Sequence, residues 1–249
     1  MRKFGLIGYP LGHSFSKGYF TEKFKKEGIA DASYELYPLQ HIAEFPELLA
    51  QNQELLGINV TIPYKEQVIP YLNSLHESAQ KVGAVNVIKR EGRQLIGYNS
   101  DYFGFKLSLQ QWLGHTLPHL QALVLGTGGA AKAVAAALQD LGIPFQLVSR
   151  QAAENTLSYT QLHQQPQLLQ QYRLLINTTP LGMQPNLASC PDLPYDQLGV
   201  QHALYDLVYN PAETRFMKEG ISRGAQAKNG LQMLHLQAEK AWEIWNGNA

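Results

Sequence analysis

The sequence has little of what marks a secreted, membrane-spanning or disulfide-bonded protein. Its single cysteine, Cys190, excludes an internal disulfide, and no second cysteine or histidine stands where it would make this thiol a ligand or a nucleophile. No apolar run approaches the roughly 20 residues that a membrane span needs. Gly8 and Pro10 also interrupt the N-terminal apolar stretch before it reaches the length of a signal-peptide core. We therefore expect a cytoplasmic protein.

An excess of charge of one sign is also missing. Twenty basic residues balance twenty acidic ones, and the isoelectric point is about 7.1. The chain therefore has no electrostatic field that would hold nucleic acid or a membrane surface, and we expect neither as a partner. With 249 residues, 45% of them hydrophobic, the chain is long enough for two modest domains with separate cores.

Strand and helix patterns alternate along the whole chain. This order predicts the α/β class with largely parallel sheets. The expected strands are FGLIGY, SYELYPL, INVTI, the short pair 84–89 and 94–98, LQALVLG, FQLVSR and YRLLINTT. The expected helices cover 17–27, 42–51, a stretch from 101, 130–141, 157–171 and a last helix from 231, whose apolar face contains Leu231, Leu234, Ala238, Trp242 and Trp245.

A glycine cluster after the strand LQALVLG predicts a dinucleotide site. The residues Gly126, Thr127, Gly128, Gly129 and Ala130 follow that strand and precede an alanine-rich helix, which is the context that gives a G-x-G-x-x-G/A match its weight. Glycines there allow a tight turn and let a pyrophosphate lie on the amides of a helix N-terminus. A glycine loop without a ligand is the alternative.

The end of the next strand favours NADP over NAD. An acidic residue about 20 residues past the glycines is typical of NAD sites, whereas an arginine there accommodates the 2′-phosphate of NADP. This chain has Ser149 and Arg150 at that point, and a guanidinium pairs with a phosphate. The alternative is an exposed arginine that contacts nothing. The loop 177–183, after the third apolar strand, would border the ribose and nicotinamide.

Hydroxyl, amide and charged side chains collect at strand ends in the first half of the chain. Ser14 and Ser16 stand at the start of a helix, where a cap is the ordinary interpretation. Asn59 and Thr61 alternate with apolar residues along a strand and so face the same side. Lys65 follows at the mouth of that strand, close to where open α/β sheets bind ligands; a solvated lysine is the alternative.

Further polar residues complete a predicted pocket. Asn86 and the trio Asn99, Ser100 and Asp101 add amides and a carboxylate at strand ends. Together these groups suit a small molecule that carries several hydroxyls and a carboxylate. With the dinucleotide site, they predict a dehydrogenase that moves a hydride between a nicotinamide cofactor and a small hydroxylated acid.

The chain resembles the shikimate dehydrogenase family over essentially its whole length. The matching segments, in order, are IGYPLGHSFSK, INVTIPYK, ESAQKVGAVN, GYNSD, GTGGAAKA, INTTPLGM, YDLVYNP and NGLQMLHLQ. The resemblance implies an α/β substrate-binding domain from residues 1–101 and 231–249, completed by the C-terminal helix, and a Rossmann-type NADP-binding domain from residues 102–230. It implies the NADPH-dependent, reversible reduction of 3-dehydroshikimate to shikimate, a step toward chorismate and the aromatic amino acids.

The resemblance also implies roles for individual residues. Lys65 and Asp101 resemble the catalytic pair of the family. The positions that match substrate-binding residues are Ser14, Ser16, Asn59, Thr61, Lys65, Asn86, Asp101, Tyr209 and Gln237. The positions that match cofactor-binding residues are Glu77, Gly126, Thr127, Gly128, Gly129, Ala130, Ser149, Arg150, Thr178, Leu207, Gly230 and Met233.

Reduction of the substrate ketone places negative charge on its oxygen, so a protonated ammonium such as that of Lys65 stabilises the transition state. Asp101 favours the charged lysine by Coulomb attraction, and no metal is expected. The 2′-phosphate site departs from the family, because Glu154 stands where a second arginine is common. The alternatives are an NAD-using quinate/shikimate dehydrogenase, another NADP reductase that shares the second half, and a non-catalytic shikimate or dinucleotide sensor. Whether the chain is a monomer or a homodimer stays open.

Overall fold

The computed structural model describes residues 1–12, 14–151 and 153–247. The chain forms two compact units, one from Met1–Phe103 with Gln237–Ala249 and one from Gly104–Leu236. Both limits between the units fall inside a helix, close to the domain limits that the sequence suggests. In the described residues, no helix is both long and apolar enough to cross a membrane.

The first unit contains a six-stranded mixed sheet. Its elements are β1 (Arg2–Gly8), α1 (Phe15–Lys26), β2 (Ala32–Pro38), a 3-10 turn (Ile42–Glu44), α2 (Phe45–Gln51), β3 (Leu55–Val60), a 3-10 turn (Ile69–Tyr71), β4 (Ser74–Leu75), α3 (Glu77–Val82), β5 (Val87–Glu91) and β6 (Gln94–Tyr98). The strand order is β2-β1-β3-β5-β6-β4. Strands β2, β1 and β3 are parallel, but β5 is antiparallel to both β3 and β6. Strand β4 is parallel to β6, so five of the six strands run in one direction and the expectation of a largely parallel sheet is confirmed for this unit. Strand β5 is reversed because the tight turn at Gly92, with φ of 60°, makes β5 and β6 a hairpin.

The second unit contains a parallel sheet. The elements from here to the C-terminus are α4 (Ser100–Leu113), a 3-10 segment (Gly114–His119), β7 (Ala122–Leu125), α5 (Gly129–Asp140), β8 (Phe145–Ser149), β9 (Thr156–Ser158), α6 (Tyr159–Gln164), α7 (Leu168–Gln171), β10 (Leu174–Asn177), a 3-10 turn (Tyr195–Gln197), β11 (Ala203–Asp206), α8 (Arg215–Ile221), β12 (Gln226–Lys228) and α9 (Leu231–Trp245). The strand order is β12-β11-β10-β7-β8-β9, and every pair is parallel. This is the doubly wound order of dinucleotide-binding folds.

The C-terminal end of α9 packs into the core of the first unit. Its apolar residues join the side chains of Phe4, Phe20 and Tyr34 on one face of the sheet. The predicted apolar face is confirmed at Ala238 and Trp245, which are buried, and at Trp242, which packs against the same cluster. It is wrong at Leu231, which is 42% exposed, because the first turn of α9 lies outside this cluster.

Two other expectations are wrong in detail. The segment 157–171 is not one helix, because Ser158 ends a short strand and caps α6, and Pro166 separates α6 from α7. A proline in mid-helix would lack the amide that the helix needs. The strand that contains Asn59 ends at Val60, so Thr61 lies just beyond the strand, although its amide still donates to the Ile7 carbonyl at 2.9 Å.

Candidate active site

Ser14 precedes helix α1 but does not cap it with its side chain. It has extended backbone angles, φ −77° and ψ 119°, and makes no side-chain cap bond. Its Oγ is buried and has no hydrogen-bond partner in the part of the chain that the structure describes. A buried hydroxyl without a partner is costly in a protein that binds nothing. The cap interpretation is therefore wrong for this side chain, and a ligand oxygen would satisfy it.

Ser16 and Asn59 meet at a buried tyrosine that the sequence analysis did not single out. The Tyr34 hydroxyl donates to Asn59 Oδ1 at 2.7 Å. Burial raises the pKa of Tyr34, and a hydrogen bond from the Ser16 side chain opposes this effect. Asn59 Nδ2 then donates to the Asn86 carbonyl at 3.3 Å. Strand β2 thus supplies the connection between the first turn of α1 and the end of β3.

The buried Asn86 side chain forms hydrogen bonds to two other residues of the predicted pocket, Ser100 and Gln237. Its Nδ2 donates to Ser100 Oγ at 3.1 Å and to Gln237 Oε1 at 3.4 Å. Its Oδ1 accepts from the Ser100 amide at 2.6 Å. Because Ser100 begins α4, these bonds fix the helix start that presents Asp101.

Lys65 and Asp101 form an ion pair in the first unit. Lys65 Nζ lies 2.6 Å from Asp101 Oδ2, and the two side chains are 29% and 12% exposed. The Lys65 backbone is held in its turn by the Val85 amide, which donates to the Lys65 carbonyl at 2.7 Å. The structure thus brings together Ser16, Asn59, Asn86 and Gln237 in one network and Lys65 with Asp101 in an ion pair.

The glycine cluster in the second unit forms an open turn between β7 and α5. Gly126 has φ of +115°, a conformation that favours glycine, and a Cβ atom there would approach Thr178 Oγ1 to 2.6 Å. A Cβ on Gly128 or Gly129 would meet nothing within 4 Å. Helix α5 begins at Gly129 with no acidic residue in its first turn, so its amides can bind a pyrophosphate. The residues present fit a dinucleotide.

Ser149 and Arg150 lie at the carboxyl end of β8, as the sequence predicts. The Ser149 hydroxyl donates to the Gln151 carbonyl, which stabilises the turn after the strand. Arg150 is exposed, and a guanidinium in that position can take a phosphate by paired hydrogen bonds. Glu77 lies in the first unit instead, as the exposed first residue of α3.

The loops after β10 and β11 contact one another through a buried carboxylate. Asp206 Oδ1 accepts from Asn177 Nδ2 at 2.9 Å and from the Val208 amide at 3.0 Å, and Asp206 Oδ2 accepts from Thr214 Oγ1 at 2.5 Å. Burial raises the pKa of Asp206 to about 6, against the opposing effect of these hydrogen bonds. Asp206 is not among the residues predicted from the sequence, although an acidic residue at the end of the apolar strand ALYD is a visible signal.

The remaining predicted cofactor residues border the same loops. Thr178 Oγ1 donates to the Leu125 carbonyl at 2.7 Å, and the Gly230 amide donates to the Val208 carbonyl at 3.1 Å. A Cβ on Gly230 would collide with the Leu207 carbonyl, so this position requires glycine. Met233 is buried. Tyr209 follows β11 and belongs to the second unit, whereas the other predicted substrate residues belong to the first.

The parallel sheet and the glycine turn define the second unit as a Rossmann-type dinucleotide-binding unit. The family model for the shikimate dehydrogenase substrate binding domain matches residues 6–88. The shikimate dehydrogenase (NADP(+)) of Clostridium beijerinckii is 39% identical, over 98% of this chain and 92% of that protein. The enzyme of the same name from Caldicellulosiruptor saccharolyticus is 35% identical, over 98% of this chain and 92% of its own.

A solved structure extends the likeness to the fold. The crystal structure of shikimate 5-dehydrogenase from Thermus thermophilus, in complex with NADP(H) and shikimate, has a TM-score of 0.84 and 30% sequence identity, and covers 99% of this chain and 94% of that one. The chain belongs to the shikimate dehydrogenase family.

Proposed function

We propose that this chain catalyses the reversible, NADPH-dependent reduction of 3-dehydroshikimate to shikimate, on the route to chorismate and the aromatic amino acids. The observation that carries the proposal is the Lys65–Asp101 ion pair, at 2.6 Å, in the same unit as the buried, unsatisfied Ser14 hydroxyl and the Asn59 and Asn86 amides. An ion pair for proton chemistry and a set of hydrogen-bonding groups for a polyhydroxylated acid are what this reaction needs.

The substrate binds to the domain that we assign to residues 1–101 and 231–249, which shares most of its residues with the first unit. Ser14 and Ser16 donate to its carboxylate, with Tyr209 as a further contact from residues 102–230. The hydroxyls of the substrate bind to amide and hydroxyl groups, since each of these side chains both donates and accepts hydrogen bonds. These groups are Asn59, Thr61, Asn86 and Gln237.

Lys65 and Asp101 carry the proton chemistry. The Lys65 ammonium donates to the carbonyl oxygen at C3 and gives it a proton as negative charge develops there. Asp101 accepts a hydrogen bond from a substrate hydroxyl and holds Lys65 Nζ in place. Bound NADPH supplies the hydride. In the reverse direction, neutral Lys65 takes the proton from the C3 hydroxyl of shikimate.

The second unit holds NADP. Gly126, Thr127, Gly128, Gly129 and Ala130 bind the pyrophosphate, because the turn is open and α5 offers its first amides. Ser149 and Arg150 bind the 2′-phosphate. The residues assigned to the nicotinamide surroundings are Thr178, Leu207, Gly230 and Met233, and Glu77 is assigned a cofactor contact from the first unit.

Initial rates with shikimate and quinate, each with NADP and with NAD, test the proposal. We expect the highest kcat/KM with shikimate and NADP. Arg150→Ala should raise the KM for NADP, because the 2′-phosphate loses the guanidinium that binds it. The KM for NAD should stay nearly unchanged, because NAD has no 2′-phosphate. A preference for quinate with NAD supports the first alternative, and tight binding without turnover supports a sensor.

The location and the assembly of the enzyme also belong to this proposal. We infer a cytoplasmic enzyme whose partners are its two small-molecule substrates, and a homodimer is the assembly to test. Cell fractionation measures the location of the enzyme, and sedimentation of the purified chain at several concentrations measures its assembly.

A further inference from the structure

Tyr34 is a buried residue whose hydroxyl contacts two residues that the proposed function assigns to substrate binding. Its ring lies parallel to that of Phe20 in α1, with centroids 4.7 Å apart and an interplanar angle of 15°. Its hydroxyl donates to Asn59 Oδ1 at 2.7 Å and is hydrogen-bonded by Ser16. A buried phenol needs such partners, since an unsatisfied hydroxyl costs free energy.

The position of Tyr34 requires both the length of its side chain and its terminal oxygen. Strand β1 lies between β2 and β3, with Tyr34 opposite Phe4 and Asn59 opposite Leu6. The phenol therefore reaches across β1 to contact Asn59. A phenylalanine would fill the same space and keep the ring contact with Phe20, but it would leave the oxygen of the Asn59 amide without this donor.

The bond from Tyr34 decides how the Asn59 amide is oriented. With Oδ1 accepting from Tyr34, Nδ2 faces the Asn86 carbonyl at 3.3 Å, and its second hydrogen is available for a ligand. An amide has an accepting oxygen and two donating hydrogens, so a flip would exchange donor for acceptor at the ligand. The Tyr34 hydroxyl thus holds Asn59 as a donor.

We propose that Tyr34 is a positioning residue for substrate binding, which acts by holding the Asn59 amide in the orientation that donates to a hydroxylated carboxylic acid. The inference rests on the proposed function. It concerns substrate affinity and not the proton transfer, because Tyr34 contacts the binding residues and its hydroxyl is not part of the Lys65–Asp101 pair.

The test is Tyr34→Phe, with Tyr37→Phe as its control. Tyr37 lies on the same strand but packs in the cluster on the opposite face of the sheet. For Tyr34→Phe we expect the KM for shikimate to rise about five- to tenfold, the usual effect of one lost hydrogen bond. The kcat and the KM for NADP should stay within about twofold, and the control should match the parent throughout.

A double-variant cycle shows whether Tyr34 acts through Asn59. In the proposal Tyr34 does not contact the substrate and acts only through Asn59. The double variant Tyr34→Phe/Asn59→Ala should therefore bind shikimate no more weakly than Asn59→Ala alone. Costs that multiply would overturn the inference, as would an unchanged KM in Tyr34→Phe. A fall in kcat with KM unchanged would also overturn it.

Two further readouts keep the result interpretable. If the parent does not oxidise shikimate, the proposed function fails, whatever Tyr34 does; if the parent is active and Tyr34→Phe equals it, the inference about Tyr34 alone fails. Should Tyr34→Phe be recovered unfolded, Asn59→Asp tests the same orientation with the tyrosine intact, because the carboxylate keeps the acceptor for Tyr34 and removes the donor. The KM for shikimate should then rise as in Asn59→Ala, and a KM near that of the parent contradicts the inference.

Discussion

At the scale of single residues, Lys65 and Asp101 are placed for chemistry more than for stability. Their side chains are 29% and 12% exposed, and ion pairs that retain access to water contribute typically less than about 1 kcal/mol. The pair leaves the Lys65 ammonium accessible while Asp101 limits its rotation. Lys65 can therefore be substituted without loss of the fold, which makes its role in turnover measurable.

Lys65→Ala should fold normally and lose roughly 10²-fold or more in kcat, the usual scale for a positioned acid or base. The KM for shikimate should change far less, because the serine and amide groups remain. Lys65→Met, which keeps the length without the charge, should behave in the same way. Near-parental kcat in shikimate oxidation at saturating NADP would contradict the assignment. The measurement is steady-state kinetics beside a thermal unfolding curve.

Substitution of Ser14 should affect the stability of the protein and its binding of shikimate in different ways. Its Oγ is buried without a partner in the described chain, so Ser14→Ala removes an unsatisfied group and should leave the free energy of unfolding unchanged or raise it by up to about 1 kcal/mol. The KM for shikimate should rise, since the carboxylate loses a donor. A capping serine would give the opposite pattern, a loss of about 1 kcal/mol with unchanged KM. Denaturant unfolding and initial rates distinguish the two.

At the scale of elements, α9 packs closely against the first sheet at Gly57, a position that has no side chain. A Cβ on Gly57 would collide with the indole of Trp245, whose Nε1 donates to the Ile88 carbonyl at 3.0 Å. The absence of a side chain on β3 thus lets the helix approach closely. Since Gln237 lies in the same helix and bonds to Asn86, the packing of α9 also positions part of the proposed substrate site.

Gly57→Ala should therefore lower the free energy of unfolding by about 1–3 kcal/mol, the usual cost of overpacking, and raise the KM for shikimate. Gly18→Ala is the matched control, because a Cβ on Gly18 would meet nothing within 4 Å and alanine favours a helix interior by up to about 1 kcal/mol. Denaturant unfolding of both variants provides the comparison. Equal stability of the two would show that Trp245 does not depend on Gly57.

The Asp206 carboxylate, which links β10, β11 and the start of α8, predicts a pH effect. Burial raises its pKa to about 6 from an ordinary 3.8, so the folded state binds its proton more tightly than the unfolded state. The associated stability is present below about pH 4 and is lost as the pH rises through about 6. The amount is on the order of 3 kcal/mol, at about 1.4 kcal/mol for each pKa unit.

Asp206→Asn should remove this dependence. The difference in unfolding free energy, variant minus parent, should increase in favour of the variant between about pH 4 and pH 6 and level off above that range. Urea unfolding at several pH values measures it. A difference that stays constant over the range would mean that Asp206 titrates as an ordinary carboxyl.

At the scale of the whole molecule, the two units differ in how the chain builds them. The second unit is one continuous segment, Gly104–Leu236, whereas the first is completed by the C-terminal segment from Gln237. That segment contributes Ala238, Ala241, Ile244 and Trp245 to a buried cluster of the first unit. The core of the first unit therefore depends on the last part of the chain.

A chain that ends at residue 236 should bind NADPH within about threefold of the parent and should not bind shikimate. Loss of buried side chains of this size costs about 3–5 kcal/mol for a tryptophan alone, a large share of the stability of a typical domain. NADPH fluorescence measures the first property, and limited proteolysis should leave the second unit protected. A chain that ends at residue 247 is the control. Loss of both binding activities would contradict the independence of the second unit.

The sequence by itself determined the α/β class, the dinucleotide turn and most of the candidate site residues. These features are local. Gly126 to Ala130 are consecutive in the sequence, Lys65 follows a strand that the sequence predicts, and Asp101 lies at a predicted helix start. The break at Pro166 was equally local and could have been predicted, because proline disrupts a helix whatever surrounds it.

Only the tertiary structure decided which of these residues contact one another. Tyr34 and Asn59 are 25 residues apart, and Asn86 and Gln237 are 151 apart, so their bonds depend on β1 lying between β2 and β3 and on α9 returning to the first sheet. The missing cap bond of Ser14, the burial of Asp206 and the fit of Trp245 over Gly57 depend in the same way on neighbours distant in sequence. Periodicity reports which face of an element is apolar, but the partner of a polar group is fixed by strand order and packing.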